Sequence, residues 1–221
     1  MVERYIRNGL SEAEQKALQN ATISIIGCGG LGGRTAELLT RLGIGTLILT
    51  DPDVFSESNL NRQLFCNMET LGQAKVLVAS QELQKINPTL HINALVQTFD
   101  ASSLRGVDIV IDALDSGKAR KQLATLCHQQ NIPMIHGAVN SWYGQLSVEQ
   151  PGSPLMAMLY PDSNKPNSPP TVLPMTVSLI ASMQVAEVCK YILDQDSPLQ
   201  GDLSLQCDLL HCQYEFIKKM R

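Results

Sequence analysis

Hydrophobic residues along the chain form six short runs that predict β-strands. The first, TISIIG (22–27), is continuous and rich in β-branched residues, which is typical of a parallel strand buried on both faces of a sheet. Four more follow it: GTLILT (45–50), LHINALVQ (90–97), VDIVIDAL (107–114) and IPMIHGAV (132–139). The sixth run, YGQLSVEQ (143–150), alternates between apolar and polar residues and indicates an antiparallel strand.

Segments with helical character lie between and around these strands. A capping box of Ser11 and Glu14 begins the first predicted helix, EAEQKALQN (12–20). Four further helices are predicted within GCGGLGGRTAELLTRLG (27–43), LGQAKVLVASQELQKIN (71–87), GKARKQLATLCHQQN (117–131) and MTVSLIASMQVAEVCKYIL (175–193). The last segment, DLSLQCDLLHCQYEFIKK (202–219), predicts a closing hairpin. The pattern predicts an α/β, Rossmann-like fold: a largely parallel sheet with helices on both faces, continued by antiparallel strands at the C-terminal end.

The 221 residues are expected to form one domain with three parts. The nucleotide-binding part spans about 1–150, a crossing loop spans about 151–174, and a C-terminal helix and hairpin span about 175–221. Seven of the eleven prolines fall within the crossing loop, which is therefore expected to be irregular. Loops of this length inside a compact domain are usually functional or mobile.

Charge and composition remove several classes of function. The net charge is −4 and no block of lysines or arginines is present, so a nucleic-acid binder is not expected. No apolar stretch reaches the roughly 18 residues of a membrane span, and we expect a cytoplasmic protein. Six cysteines lack any C-x-x-C pair and four histidines lack ligand spacing, so we expect reduced thiols and no structural zinc.

A glycine loop follows the first strand and opens a helix. Gly27, Gly29 and Gly32 satisfy G-x-G-x-x-G in the context that gives this motif meaning. Backbone amides can then approach phosphate at a helix N-terminus, and Asp51 ends the second strand where it could accept from ribose hydroxyls. The alternative is a turn whose glycines serve only close packing. The loop does not decide which nucleotide binds, because the same arrangement serves NAD.

Residues beyond Asp51 add charge that a dinucleotide does not require. The stretch DVFSESNLNRQ (53–63) supplies Arg62, and Lys75 follows it. Asp115 follows a later strand at the same sheet edge, where it could hold Mg²⁺. Taken singly, Arg62 and Lys75 could be solvated charges and Asp115 a helix cap. Together they favour ATP with Mg²⁺, because a triphosphate needs cations for binding and for transition-state charge.

With these residues assembled, the sequence resembles the ubiquitin-activating-like adenylyltransferases, the MoeB, ThiF and HesA group that activates ubiquitin-like sulfur carrier proteins. The matching segments are RYIRN (4–8), GCGGLGG (27–33), DPDVFSESNLNRQ (51–63), LGQAK (71–75), INP (86–88), DIVIDALDS (108–116), IPMIHGAV (132–139) and YGQLSV (143–148). They occur in the family's order and cover most of the chain.

The resemblance implies a set of nucleotide-binding residues. Backbone amides of four glycines would bind phosphate: Gly27, Gly29, Gly30 and Gly32. Asp51 would bind the ribose, while Asn59, Arg62 and Lys75 match the positions that grip the triphosphate.

The same resemblance implies a reaction and partners. Asp115 matches the aspartate that works with Mg²⁺, and Arg7 matches an arginine that reaches the neighbouring subunit's site, which implies a homodimer. Without the resemblance, Arg7 would be interpreted as a surface residue. The implied partner is a ubiquitin-like sulfur carrier protein ending in Gly-Gly, whose terminal carboxylate attacks the α-phosphorus of ATP. Arg62, Lys75, Arg7 and Asp115 are then the catalytic set.

The sequence departs from the family pattern in two regions. Many relatives hold zinc with two C-x-x-C pairs, but the corresponding stretches here read PGSPLMAML (151–159) and EFIKKMR (215–221). Some relatives also use a cysteine in or after the crossing loop, and residues 150–188 contain none. Cys189 is expected in the core, and Cys28 and Cys66 are near the site without being expected to be catalytic.

Two other functions remain open from sequence. An NAD-dependent oxidoreductase is suggested by the glycine loop with Asp51, although no catalytic histidine with a lysine or tyrosine is evident after the binding unit. A non-catalytic nucleotide-binding or carrier-binding homologue is suggested by the missing zinc ligands and cysteine.

Overall fold

Eight strands form one sheet in the computed structural model, which describes residues 3–161, 171–200 and 203–218. The strands are β1 (Thr22–Ile26), β2 (Thr46–Thr50), β3 (His91–Leu95), β4 (Ile109–Asp112), β5 (Met134–Asn140), β6 (Tyr143–Glu149), β7 (Leu203–Asp208) and β8 (Gln213–Lys218). Their order across the sheet is β3-β2-β1-β4-β5-β6-β7-β8. The pairs among β1 to β5 are parallel and the pairs from β5 to β8 are antiparallel, which confirms the predicted fold.

Six α-helices accompany the sheet in the described part of the chain. They are α1 (Glu12–Asn20), α2 (Gly30–Leu42), α3 (Lys75–Ile86), α4 (Gly117–Gln130), α5 (Leu155–Leu159) and α6 (Pro174–Ile192). The predicted capping box is present at α1, where the Ser11 hydroxyl accepts from the Glu14 amide and the Glu14 carboxylate accepts from the Ser11 amide. This box satisfies amides that would otherwise lack a partner at the start of the helix.

The apolar core is divided between the two faces of the sheet. One cluster contains Leu39 of α2 and Ile180 of α6, and the other contains Leu123 of α4 and Leu155 of α5. Helices therefore cover both faces, as a largely parallel sheet with buried strands requires. No helix in the described ranges has both the length and the apolarity that crossing a bilayer needs.

Two sequence expectations need correction. The crossing loop is not wholly irregular, because Leu155 and Met156 are buried and the short helix α5 forms around them. Residues 162–170 of the loop lie outside the described part. The third helix begins at Lys75 and not at Leu71, because Gly72 adopts a left-handed φ of 79° that an α-helix cannot include.

The strand order also fixes where a ligand can bind. Successive strands run outward from β1 to β2 and β3, and the chain then returns to place β4 on the other side of β1. In open α/β sheets ligands bind at the carboxyl ends of the strands beside such a reversal. The loops after β1, β2 and β4 carry the glycine motif, Asp51 and Asp115.

Candidate nucleotide site

The glycine loop lies across the carboxyl ends of three strands. Gly27 follows β1 with a left-handed φ of 93°, and its N–H donates to the carbonyl of Thr50 at 2.8 Å. A β-carbon on Gly27 would lie 2.7 Å from the carbonyl oxygen of Ala113, which follows β4. The loop is therefore in direct contact with the ends of β2 and β4, at the point where the strand order reverses.

The glycines of the first turn of α2 serve both packing and access. A β-carbon on Gly32 would clash with the Gly27 carbonyl, whereas one on Gly30 would lie 3.3 Å from a methyl group of Val177. Gly29 is the N-cap of α2 and supplies no side-chain cap. Packing thus accounts for Gly27 and Gly32. No side chain of the described residues caps the amides at the start of α2, which suits an anion site.

Asp51 ties the glycine loop to the end of β2. Its carboxylate is buried, and its oxygens accept from the amides of Cys28 at 2.6 Å and Asp53 at 2.9 Å. Each carboxylate oxygen retains a second lone pair, so a ribose hydroxyl remains a chemically suitable further donor. Binding of the ribose by Asp51 stays a prediction.

Asn59 shapes the turn that presents Arg62. The buried Asn59 side chain accepts from the Ser56 amide at 3.1 Å. Its main-chain carbonyl accepts from the amides of Arg62 at 3.1 Å and Gln63 at 2.9 Å. The visible role of Asn59 is therefore to build this turn.

Arg62 and Gln63 lie beside the glycine loop. The Arg62 guanidinium donates to the Ser58 carbonyl at 2.9 Å, and its Cγ would lie 3.6 Å from a β-carbon on Gly30. The Gln63 side-chain nitrogen would lie 3.4 Å from a β-carbon on Gly29. Within the described residues the buried Gln63 Oε1 has no hydrogen-bond partner, so an acceptor without a donor lies next to the loop.

Lys75 begins α3 and belongs to the same cluster. Its side chain is buried, and its ammonium lies 2.9 Å from the Asp53 carboxylate, which is 64% exposed. The charge of Lys75 opposes the rise in the pKa of Cys28, and Lys75 and Arg62 both oppose the rise in the pKa of Cys66. Lys75 is therefore tied through Asp53 to the turn after β2, and Arg62 lies beside the glycine loop.

The two cysteines beside the site are poor nucleophiles. Burial, assisted by the Asp51 charge, raises the pKa of Cys28 to about 12. Burial also raises the pKa of the Cys66 and Cys189 thiols. Because the thiolate is the nucleophilic form, a raised pKa makes these side chains weaker nucleophiles at neutral pH.

Asp115 is exposed in the loop between β4 and α4. The interpretation of Asp115 as a helix cap is wrong, since Ser116 caps α4 by accepting from the Ala119 amide at 3.2 Å. In the part of the chain that the structure describes, Asp115 makes no hydrogen bond or ion pair, and no three His, Cys, Asp or Glu side chains form a metal-binding group. A cation at Asp115 would need water and phosphate oxygens as its other ligands.

Arg7 is exposed and lies at the opposite end of α2 from the glycine loop. Tyr5, two residues earlier, packs against Gly43 at the C-terminus of α2, and Asn8 is joined through Gln15 to Leu42. The 13 residues of α2 span about 20 Å at about 1.5 Å per residue. Arg7 is therefore not part of this chain's own cluster.

A buried polar network adjoins the site and was missed by the sequence interpretation. Asp112, the last residue of β4, and His136, within β5, are both fully buried. Asp112 Oδ2 lies 2.7 Å from His136 Nδ1. Arg120 of α4 and Tyr160 complete it, with the Tyr160 hydroxyl 3.0 Å from His136 Nε2. The available signal was Asp112 itself, a carboxylate inside the apolar run VDIVIDAL. The partners are distant in sequence and carried no signal.

Comparison with known proteins gives a consistent result. The family model described as the ThiF family matches residues 2–221. The molybdopterin-synthase adenylyltransferase of Escherichia coli K12 is 31% identical, over 98% of this chain and 90% of that protein. The sulfur carrier protein ThiS adenylyltransferase of the same organism is 30% identical, over 86% of this chain and 79% of its own length.

Solved structures share the fold. E. coli MccB with ATP superposes with a TM-score of 0.81 at 23% identity, over 99% of this chain and 72% of the MccB chain. The Rossmann-like sheet with its antiparallel continuation is thus found in a protein that has been crystallised with ATP.

Proposed function

The chain belongs to the ThiF family and is an adenylyltransferase, and on this premise we propose that it activates the C-terminal glycine carboxylate of a ubiquitin-like sulfur carrier protein. The observation that carries the proposal is that Arg62 lies beside the glycine loop, while Lys75 pairs with Asp53, two residues beyond the Asp51 carboxylate that binds the Cys28 amide. Two cations there suit a triphosphate better than a dinucleotide.

In the proposed reaction the carrier carboxylate attacks the α-phosphorus of ATP. A carboxylate-oxygen bond to phosphorus forms and the bond from the α-phosphorus to the bridging oxygen breaks, so the products are an acyl-adenylate and pyrophosphate. The nucleophile is already an anion and no general base is needed. The protein has to align the two substrates and neutralise the negative charge on the leaving pyrophosphate.

The residues around the loop are suited to these tasks. Amides at the start of α2 would bind phosphate, and Arg62 and Lys75 would bind the triphosphate and the departing pyrophosphate. Lys75 would exchange its bond to Asp53 for a phosphate oxygen. Asp51 would bind the ribose. The raised pKa values of the Cys28 and Cys66 thiols, which burial causes, support an enzyme that stops at the adenylate.

Asp115 fits a role in holding Mg²⁺. It is an exposed carboxylate in the loop after β4, two residues beyond the Ala113 carbonyl that touches the glycine loop. A single carboxylate with waters and phosphate oxygens is the usual magnesium environment in nucleotide enzymes. When bound, the cation would neutralise part of the triphosphate charge.

We also propose a homodimer in which Arg7 acts on the partner's nucleotide. The support is geometric: Arg7 lies at the far end of α2 from its own glycine loop and is exposed, so it could reach phosphate only in another subunit. A cytoplasmic location agrees with six free cysteines and with the use of ATP.

The test is exchange of labelled pyrophosphate into ATP with candidate carriers ending in Gly-Gly. Exchange should require both the carrier and its terminal glycine, and it should fall to a low residual rate in Asp115→Asn. A carrier shortened by one glycine is the matched control. Stabilisation by ATP without exchange for any carrier would identify a non-catalytic homologue. Stabilisation by NAD alone would favour an oxidoreductase.

A further inference from the structure

Both peptide groups of Leu114, the residue before Asp115, are held by buried side chains. The Leu114 amide donates to Asp112 Oδ1 at 3.0 Å, and the Leu114 carbonyl accepts from Nη2 of Arg120. Asp112 is fully buried and Arg120 is 7% exposed. The main chain that enters Asp115 is therefore fixed from two sides, although the Asp115 side chain has no partner in the described part of the chain.

Arg120 is oriented in turn by the hydroxyl of Tyr160. Nη1 of Arg120 donates to this hydroxyl, and the arginine also lies over the Tyr160 ring with 5.0 Å between Cζ and the ring centroid. Nε of Arg120 lies 3.7 Å from Asp112 Oδ2 and makes no hydrogen bond within the described residues. Among the described residues, Tyr160 therefore supplies one of the two hydrogen-bond acceptors that set the plane of the guanidinium.

The same hydroxyl continues the network to His136. Asp112 can only accept, so His136 Nδ1 carries the proton at the 2.7 Å contact and His136 Nε2 accepts from Tyr160. The hydroxyl thus accepts from Arg120 and donates to His136, and all the bonds run in one direction from the guanidinium to the Asp112 carboxylate. Removing the hydroxyl breaks the hydrogen-bonded link between Arg120 and His136, although Arg120 Nε still lies 3.7 Å from Asp112 Oδ2.

We propose that Tyr160 is a positioning residue for Asp115, acting through Arg120 and Leu114. The inference rests on the proposed function, because holding Asp115 in place affects activity only if the Asp115 carboxylate takes part in adenylylation. The sequence offered no indication of it, since Tyr160 lies 45 positions beyond Asp115 in the crossing loop. Its contact with Gly117 in the first turn of α4 is through the ring, not through the hydroxyl.

Tyr160→Phe tests the proposal because it removes the hydroxyl and keeps the ring. Tyr191→Phe, at an exposed position of α6, is the matched control. Amide hydrogen exchange of a peptide covering 113–117 should become several-fold faster in Tyr160→Phe and not in Tyr191→Phe. In carrier-dependent turnover, kcat should fall about tenfold while the KM for ATP changes by less than about twofold.

A double variant separates positioning from a general structural role. If Tyr160 acts through Asp115, adding Tyr160→Phe to Asp115→Asn should cause no further loss of residual activity. Additive losses, or an exchange rate at 113–117 equal to that of Tyr191→Phe, would overturn the proposal. If Tyr160→Phe does not fold, hydrogen exchange at 113–117 can be measured in Arg120→Lys instead, where faster exchange is likewise expected. Hydrogen exchange needs no carrier, so it decides the positioning proposal even if adenylylation itself is disproved by the pyrophosphate assay.

Discussion

A β-carbon added to Gly32 would lie 1.8 Å from the carbonyl oxygen of Gly27. The first turn of α2 therefore rests directly on the loop that follows β1, with no space for a side chain between them. Because the obstructing atom belongs to the main chain, no rotamer change can relieve the conflict. The distance between helix and loop sets the position of the amides at the start of α2.

Gly32→Ala should lower the free energy of unfolding by about 3 kcal/mol, because α2 must move off the loop. It should also reduce the stabilisation by MgATP. Denaturant unfolding with and without MgATP measures both effects. Gly106→Ala is the control, since Gly106 has a φ of 69° but open space around it, so its cost is about 1 kcal/mol of backbone strain. Equal losses in the two variants would contradict the packing argument.

Arg62→Ala should reduce kcat/KM for ATP by about 100-fold or more, because in the proposed reaction this charge would neutralise the leaving pyrophosphate. Its hydrogen bonds to Ser58 and Asn61 are exposed, so the melting temperature should stay close to that of the wild type. Arg62→Lys should recover only part of the loss, since lysine lacks the guanidinium fork. Arg41→Ala on α2 is the matched control, and a similar rate for both alanine variants would reject the role of Arg62.

Substitutions of Lys75 and Asp53 should change the stabilisation by MgATP in opposite directions. Asp53→Asn should lower the stability of the ATP-free protein by about 1 kcal/mol. It should increase the stabilisation by MgATP, because under the proposal phosphate would no longer compete with the Asp53 carboxylate for Lys75. Lys75→Ala should decrease that stabilisation. Thermal unfolding over a series of MgATP concentrations measures these shifts, with Lys85→Ala on the exposed face of α3 as the control. A decrease in both Asp53→Asn and Lys75→Ala would show that the pair does not open on binding.

Stability should fall as the pH is lowered below about 6.5, the usual pKa of histidine. Burial lowers the pKa of His136, with Arg120 adding to the effect and Asp112 opposing it, and Tyr160 is the other titratable group in contact. The unfolded chain therefore binds the proton first, and the folded state loses up to about 1.4 kcal/mol per pH unit in this range.

His136→Gln should flatten this pH dependence, which urea unfolding at several pH values measures. Burial also lowers the pKa of His128, so His128→Gln should remove a further part of the slope. An unaltered slope in His136→Gln would show that this histidine does not titrate differently in the two states.

Cys212 should be the first thiol to react with iodoacetamide in the folded protein, because it is exposed. Cys28 and Cys127 should stay unmodified, since burial raises the pKa of each to about 12. Peptide mass spectrometry after timed alkylation measures the order, and labelling in guanidinium shows that every site can be detected. Early labelling of Cys28 would reopen the question of a covalent intermediate at the glycine loop.

The order of elements was accessible from sequence because it rests on local chemistry. A continuous apolar run such as TISIIG is stable as a strand when both of its faces are buried. The capping box at Ser11 involves only two residues three positions apart. The approach of Arg62 to the glycine loop was also anticipated, since both follow strand ends at one sheet edge. Family motifs gave the roles that neither periodicity nor composition carries.

Tertiary structure alone decided which polar groups meet. The sequence could not indicate that Ser116 and not Asp115 caps α4, because both residue types cap helices equally well. Nor could it join Asp112, His136 and Tyr160, which come from β4, β5 and the segment after α5. Sequence determined which segments must be buried, since burial depends on each segment's own composition. The pairing of buried polar side chains depends on the relative placement of whole elements, and only the folded chain fixes that placement.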